Sequence, residues 1–587
     1  MNQRYGSMFA TAAMLTWPVS VSGDCFSRFM TLRAEPSNSI VGGRDNHGNP
    51  VNIRNATAMT YDLCLKTCGG GIWSIGGSWD RWQTSTQSLS QWLFPFLALT
   101  SQLPLGKDTK FENFMSVLLT IGSPTLAADS VTLTVLNSRW VHRRFSDISF
   151  PNGRAAAWVL NNFQQSPLRV TANDYLLGSL IVLPDNDRWW SELAAFLNPD
   201  HHYSWSFSNV TSVIWVVLSF LLTVMNSFAD TPTEAALSPY NGLALAFCWI
   251  WLLAILICSL NNAPRCDKTA LHEALRRANR SVYVAAHNGN CDLGHFTVNR
   301  PPLSLDSPDV PLRMDHHRGA PIYSYARLVT WGLAVKKVHA AFQAASSGAN
   351  KQLPVNSRAG WSKNRKGELA LSNRRGSPAQ VADYIQSRDH KILLPDLGWR
   401  SLNSSVMALF LTWGTIGPAV VLDLALPTKG LGCRSASRLA YGILSIVIWA
   451  LMVTSNRSSY NWIISDSISD TSRHGNVKQS LSRLFAIVLR RTGKVLSCIN
   501  ATWIVVTFVL ECTDVYQSCW CNSDVLYLGS HAYSVMLWTR EDFHAFWTPL
   551  VTSTVLASAS VVIFTGINIH MNPSSSRWFA SIGKKSI

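Results

Sequence analysis

Charge is what this chain has little of. Only 14% of its 587 residues are Asp, Glu, Lys or Arg, against about a quarter in an ordinary soluble domain. The shortfall excludes extended disorder, because disordered segments are rich in charge and poor in apolar residues. It also excludes a wholly solvated surface. Catalytic signatures are missing too. There is no His-Glu-x-x-His and no Gly-x-Ser-x-Gly, and Gly69-Gly70-Gly71 lacks the Gly-Lys-Ser/Thr ending of a phosphate loop. No constellation meets the minimum for an active site. The sequence therefore leans away from an enzyme and asks for no cofactor.

What it does have is apolar sequence gathered in blocks. Seven of them, 114–136, 209–228, 242–260, 405–425, 439–455, 496–512 and 547–568, contain no Lys or Arg. Each is near the ~20 residues that a helix needs to cross the hydrocarbon core. An eighth, Trp92 to Leu105, is shorter and holds Pro95 and Pro104. The expected fold is an all-α integral membrane protein. It has about seven transmembrane helices, one re-entrant or interfacial segment at 92–105, a small lumenal N-terminal domain and helical cytosolic loops.

Orientation follows from the start of the chain and from charge. Met8 to Val21 is mostly apolar and ends before Val21-Ser22-Gly23, the form of a secretory signal over 1–23; a short uncleaved anchor is the alternative. Both put residues from Asp24 outside. With seven spans, the segments 138–207, 261–404, 456–495 and 569–587 hold 37 of the 50 Lys and Arg residues, and the outer segments hold 12. The positive-inside rule favours this arrangement, with a cytosolic C-terminus. It predicts an integral membrane protein of the secretory pathway, the plasma membrane being one candidate. Asn55-Ala56-Thr57 is then a usable N-glycosylation acceptor. Cys25, Cys64, Cys68, Cys433, Cys519 and Cys521 all fall outside, where disulfides persist. Their pairing cannot be read from spacing.

Two segments carry the inner side. In 138–207, Arg139, Arg143 and Arg144 anchor the start, and 155–165 suits an amphipathic helix. Trp189-Trp190 with Leu193 and Phe196 suggests another, lying on the bilayer or on the bundle. The loop 261–404 is basic, with 21 Lys and Arg against 10 Asp and Glu over 262–400. Its spacing predicts helices at 271–280 and 323–345, a strand at 281–286 and a flexible linker at 347–379. Such a surface is drawn to anionic lipid headgroups and can serve a cytosolic protein partner. No nucleic-acid module accompanies the charge.

Three acidic residues stand in spans. Asp423 and Glu511 are near predicted outer ends, within reach of water. Asp129 lies deeper, after Gly122 and Pro124, and is the candidate intramembrane polar site, since charge in lipid costs several kcal/mol. A carboxyl bonded to Ser130 or Thr132 is the structural alternative. His287-x3-Cys291-x3-His295, Asp315-His316-His317 and His201-His202 are weak metal spacings, and no metal is assigned.

Several stretches carry a resemblance. They are Thr60-Tyr-Asp-Leu-Cys-Leu-Lys-Thr-Cys-Gly-Gly70, Trp92-Leu-Phe-Pro-Phe-Leu-Ala-Leu-Thr-Ser-Gln-Leu-Pro-Leu105, Met115-Ser-Val-Leu-Leu-Thr-Ile-Gly-Ser-Pro-Thr-Leu-Ala-Ala128, Gln164-Gln-Ser-Pro-Leu-Arg-Val170 and Gly430-Leu-Gly-Cys-Arg-Ser435. Together they resemble a family of large, uncharacterised integral membrane proteins of filamentous fungi. The resemblance implies a multipass architecture and transfers no activity, cofactor or catalytic residue. Members usually place a neutral or aromatic residue where Asp129 stands. The expected role is an organising or signalling membrane protein acting through its basic cytosolic loops. The alternative is a solute or ion transporter or channel using a polar path near Asp129.

Overall fold

The computed structural model describes residues 25–35, 40–68, 93–103, 110–164, 168–171, 173–197, 207–229, 238–262, 268–286, 291–293, 301–305, 328–362, 369–386, 397–426, 430–468, 477–512, 515–521 and 526–572. The expected signal segment 1–23, the glycines 69–71, His201-His202, His287, His295 and Asp315-His316-His317 lie outside them.

In chain order the first elements are α1 (Cys25–Ala34), β1 (Gly43–Arg44), β2 (Ala58–Thr60), α2 (Tyr61–Cys68), α3 (Phe94–Ser101), α4 (Lys110–Gly122) and α5 (Pro124–Phe145). There follow α6 (Gly153–Asn162), β3 (Arg169–Val170), α7 (Asp174–Val182), α8 (Asp187–Phe196), α9 (Phe207–Ala229), α10 (Ser238–Asn262) and α11 (Lys268–Asn279). The last are β4 (Tyr283–Ala285), β5 (Cys291–Leu293), β6 (Leu303–Ser304), α12 (Leu328–Asn350), α13 (Pro378–Ile385), α14 (Leu397–Leu424), α15 (Cys433–Ile468), α16 (Val477–Cys512), β7 (Tyr533–Val535) and α17 (Arg540–Met571).

Six helices, α9, α10 and α14 to α17, are long and apolar enough to cross a membrane, and α4 with α5 makes a seventh only if the bent pair is one span. α10 is apolar all round and is almost wholly buried. A helix without a polar face has to be enclosed. α9 is peripheral and mostly exposed, with Ile214, Trp215, Leu218 and Leu222 facing out. α15 and α16 run 36 residues each, well beyond blocks 439–455 and 496–512. At 1.5 Å per residue each is about 54 Å long, more than the ~30 Å core. Helix-forming polar flanks such as Ser458 and Arg491 extend them where an apolar count stops.

The expected first span, 114–136, is not one helix. α4 and α5 bend 102° apart at Ser123. Pro124 lacks an N–H and suits the first turn of a new helix, and Ser123 Oγ caps it by accepting from the Leu126 N–H at 3.2 Å. The freed backbone groups find partners on neighbouring helices. Tyr441 Oη donates to the Ile121 carbonyl at 2.7 Å, Asn500 Nδ2 donates to the Gly122 carbonyl at 2.8 Å, and Ser445 Oγ accepts from the Thr125 N–H at 3.1 Å. Irregular backbone at this depth is tolerated only where protein satisfies it. Gly122 is needed for closeness: a Cβ there would sit 2.0 Å from the Ser497 carbonyl oxygen.

The bundle has two different ends. At one, an antiparallel sheet in the order β1-β2-β7 pairs Met59 with Ser534, and Asn46 Nδ2 donates to the Leu537 carbonyl beside the start of α17. At the other, segments expected as two separate units form a single core. It contains Trp140 and Phe145 of α5, Leu160, Leu177, Leu275, Trp331, Phe342 and Val381. β3 pairs with β6, joining Arg169 to Ser304. Trp189 and Trp190 are not on a surface: both are buried in this core, and Trp190 Nε1 donates to the Leu180 carbonyl at 3.0 Å. The expected linker 347–379 is partly folded as well. α12 continues to Asn350, and Val355, Asn373 and Arg374 are buried.

The ends also locate the short α3. Phe228, late in α9, meets Trp547 near the start of α17 edge to face, with ring centroids 5.3 Å apart. Ser208, at the start of α9, therefore lies at the opposite end, and Gln102 Nε2 donates to its hydroxyl at 3.2 Å. Phe96, Leu99 and Leu103 belong to the bundle core.

Gly122→Ala is expected to destabilise the bundle by about 1–3 kcal/mol through overpacking, read as a lower melting temperature in detergent. Gly360→Ala, where no atom lies within 4 Å, should leave it unchanged.

Candidate functional site

Asp129 is on the second turn of α5 and is 6% exposed. Its side chain points into the bundle, where it meets Ser404 of α14 and Trp449 of α15. Oδ1 has no hydrogen bond of ordinary geometry, and neither do Ser130 Oγ and Thr132 Oγ1. The alternative reading, a local bond to Ser130 or Thr132, is thus not what the structure has. One turn earlier, Thr125 Oγ1 bonds Thr412 Oγ1 at 3.0 Å and Ser445 Oγ at 2.9 Å. Two turns later, Asn137 bonds Arg400 and Gln164, and the Arg400 guanidinium lies 4.2 Å over the Trp140 ring. Arg400, Ser404, Thr412, Thr415 and Asp423 of α14 are all buried at helical spacing, so one polar stripe of α14 is enclosed. Around Thr125 its hydroxyls pair with protein partners.

Asp423 and Glu511 are not at a wet interface. Asp423 is ion-paired with Arg438, and Glu511 lies 3.5 Å from Arg434. The Arg434 guanidinium also lies 5.8 Å from the Tyr516 ring centre, and Tyr516 Oη bonds Ser437 Oγ at 2.8 Å. Sequence reasoning missed the two arginines because it put them in a loop, where they looked solvated. Their i, i+4 spacing behind Cys433, with two acids in neighbouring apolar blocks, was the available signal. Removing one partner of a buried pair costs about 3–5 kcal/mol.

The six candidate cysteines come together in three bonds, Cys25–Cys68, Cys64–Cys519 and Cys433–Cys521. Among the described residues, Cys64, Cys68 and Cys519 also form the cluster with metal-ligand spacing. All three sulfurs are in disulfides, so they offer no thiolate to a metal. Asn55 is exposed at the end of a 3-10 turn.

At the opposite end, Arg374 closes the second core. Its guanidinium makes a bidentate contact with Asp187 at 2.6 and 2.7 Å, and its Nε donates to the Val182 carbonyl at 2.8 Å. His339 of α12 places Nε2 2.9 Å from the Arg144 carbonyl oxygen at the end of α5. Burial lowers the pKa of His339 from its ordinary 6.5; the bond to the carbonyl opposes this, and the Arg144 charge adds to it.

No protein-family model, curated protein or solved structure matches the chain. The geometry alone has to carry the functional reading.

His339 gives a signed pH dependence. Its pKa is depressed in the fold, so the unfolded chain binds the proton more readily, and stability falls as pH drops below 6.5 towards the folded value. The second core should melt lower at about pH 5 than at about pH 7.5. His339→Gln should reduce that difference, with burial of His142 supplying a remainder of the same sign, as followed by thermal unfolding in detergent.

Proposed function

We propose that the protein is a membrane-embedded organising or signalling protein that acts through the folded basic domain at one end of its bundle. One observation carries the reading. Leu126 to Val131 of α5 belong to the core of the bundle, and Leu133 to Phe145 of the same helix belong to the core of the domain. A continuous helix shared by two cores moves both together. The bundle therefore holds the domain in a defined pose.

The orientation we infer puts the disulfide end in an oxidising lumenal or extracellular compartment and the basic domain in the cytosol. In this reading the chain has changed sides by Gln102, and α4 with α5 enters the membrane from the cytosolic side and returns. That gives α4 with α5 the re-entrant role first expected of 92–105 and keeps every later loop on its expected side. Exposed Arg276 and Arg277 on α11, with Arg280 just after it, would face anionic headgroups or an acidic surface on a cytosolic protein. Membership of the fungal membrane-protein family is part of the same proposal.

Two measurements test it. A cysteine probe at Lys110 should label from the cytosolic side, while Asn55 carries glycan on the other; lumenal labelling at 110 would overturn the re-entrant reading. Full-length protein cross-linked in native membranes should retain a specific cytosolic protein. The charge-reversed variant Arg276→Glu, Arg277→Glu, Arg280→Glu should lose it. Identical captures from the two forms would count against a role for this surface.

A further inference from the structure

The described cysteines contain an arrangement that a merely structural set of staples does not need. Cys64, Cys68 and Cys519 place their sulfurs within 4.8 Å of one another, yet they belong to two different disulfides, Cys25–Cys68 and Cys64–Cys519. The two bonds differ in access. Cys25 and Cys68 are half-buried, whereas Cys64 and Cys519 are 1% and 7% exposed. A reductant therefore meets Cys25–Cys68 first. The thiol it would release on Cys68 already sits against the second bond.

We propose that these four cysteines form a redox-active exchange site that takes electrons from a dithiol and moves the long-range staple off Cys519. The dithiol reduces Cys25–Cys68, becoming a disulfide itself and leaving two thiols. The Cys68 thiol loses its proton to water and attacks Cys64 Sγ. A Cys64–Cys68 bond forms, the Cys64–Cys519 bond breaks, and Cys519 leaves as a thiolate that picks up a proton. Exchange of this kind requires a thiolate with access to the sulfur it attacks. The product requires the last turn of α2 to open: residues four apart on a helix have Cβ atoms about 5–6 Å apart, against the ~3.5–4.5 Å that a disulfide spans, and Cys68 is the final residue of α2, where helices fray.

The effect is specific. A bond across 455 residues becomes a local one, and the N-terminal segment is then held to the rest by the β2–β7 pairing alone among its strands. Cys433–Cys521 is untouched, so residues 515–521 remain anchored above Arg434 and Arg438. The proposal concerns the disulfide end and stands apart from the role proposed for the basic domain.

Full-length protein in lipid nanodiscs would be reduced in steps with dithiothreitol, quenched with acid, alkylated and mapped by mass spectrometry. The first partly reduced species should carry Cys64–Cys68, with Cys25 and Cys519 alkylated. A first species with Cys25 and Cys68 alkylated and Cys64–Cys519 intact would overturn the proposal, as would a Cys68–Cys519 bridge. Cys25→Ser should show the Cys64–Cys68 bridge without any reductant. The double variant Cys25→Ser, Cys68→Ser should keep Cys64–Cys519 at dithiol concentrations that remove it from wild type, and equal loss from both sinks the idea. If these variants do not fold, the wild-type series decides alone.

Discussion

A backbone carbonyl or N–H inside a membrane bundle must find a partner within the protein, and the arrangement of this chain turns on how that is met at Gly122, Ser123 and Pro124. Breaking a helix there frees groups that would otherwise cost several kcal/mol each. Three helices supply the remedy: Tyr441 and Ser445 from α15, Asn500 from α16, and the Thr412 hydroxyl of α14 behind Thr125. Those partners fix how the three helices sit around α5. They also fill the break, so it behaves as a joint and not as a vacant ion site. The positive end of α5 is capped from within by Ser123 and does not reach out for an anion.

From that joint, α5 runs out of the bundle into the second core. Its residues change character along the way. Thr125 and Asp129 face α14 and α15, Asn137 grips Arg400 and Gln164, and Trp140 and Phe145 pack on Trp331, His339 and Phe342. Polar pairing positions one half of the helix and aromatic packing positions the other. The basic domain is thus built onto the bundle at a fixed angle. This is a different design from soluble loops hung between spans, because one helix contributes side chains to both cores.

Much of the helical layout was legible from apolar blocks alone, because α9, α10 and the blocks 405–425 and 547–568 inside α14 and α17 are close to membrane-length runs without Lys or Arg. What escaped was everything set by partners distant in sequence. Trp189 and Trp190 look like surface anchors until Leu180 and Phe342 are brought beside them. Arg374 sits in a stretch of Ser, Asn and Gly that reads as a linker, and only Asp187, 187 residues away, makes it a closing contact. Asp423 looked wet because Arg438 looked wet; each makes sense only beside the other. Asp129 stands out in the sequence as an acid in an apolar run, but its surroundings come from Ser404 and Trp449, far along the chain. Periodicity reports which face of a helix is apolar. It does not report what that face will meet.

The β2–β7 ladder and the Cys64–Cys519 bond join residues near the beginning of the chain to residues near its end. A ribosome delivers those partners far apart in time. While the intervening helices are being inserted, β2 has no strand on its β7 side and Cys64 has no Cys519 to bond. Cys25 and Cys68, only 43 positions apart, are the pair available early. The N-terminal segment must therefore pass most of synthesis as an unfinished piece, with Met59 and Ile53, buried in the end, still open to water. Under the proposed orientation, it would depend on the lumenal folding machinery until α16 has crossed and the last outer loop arrives.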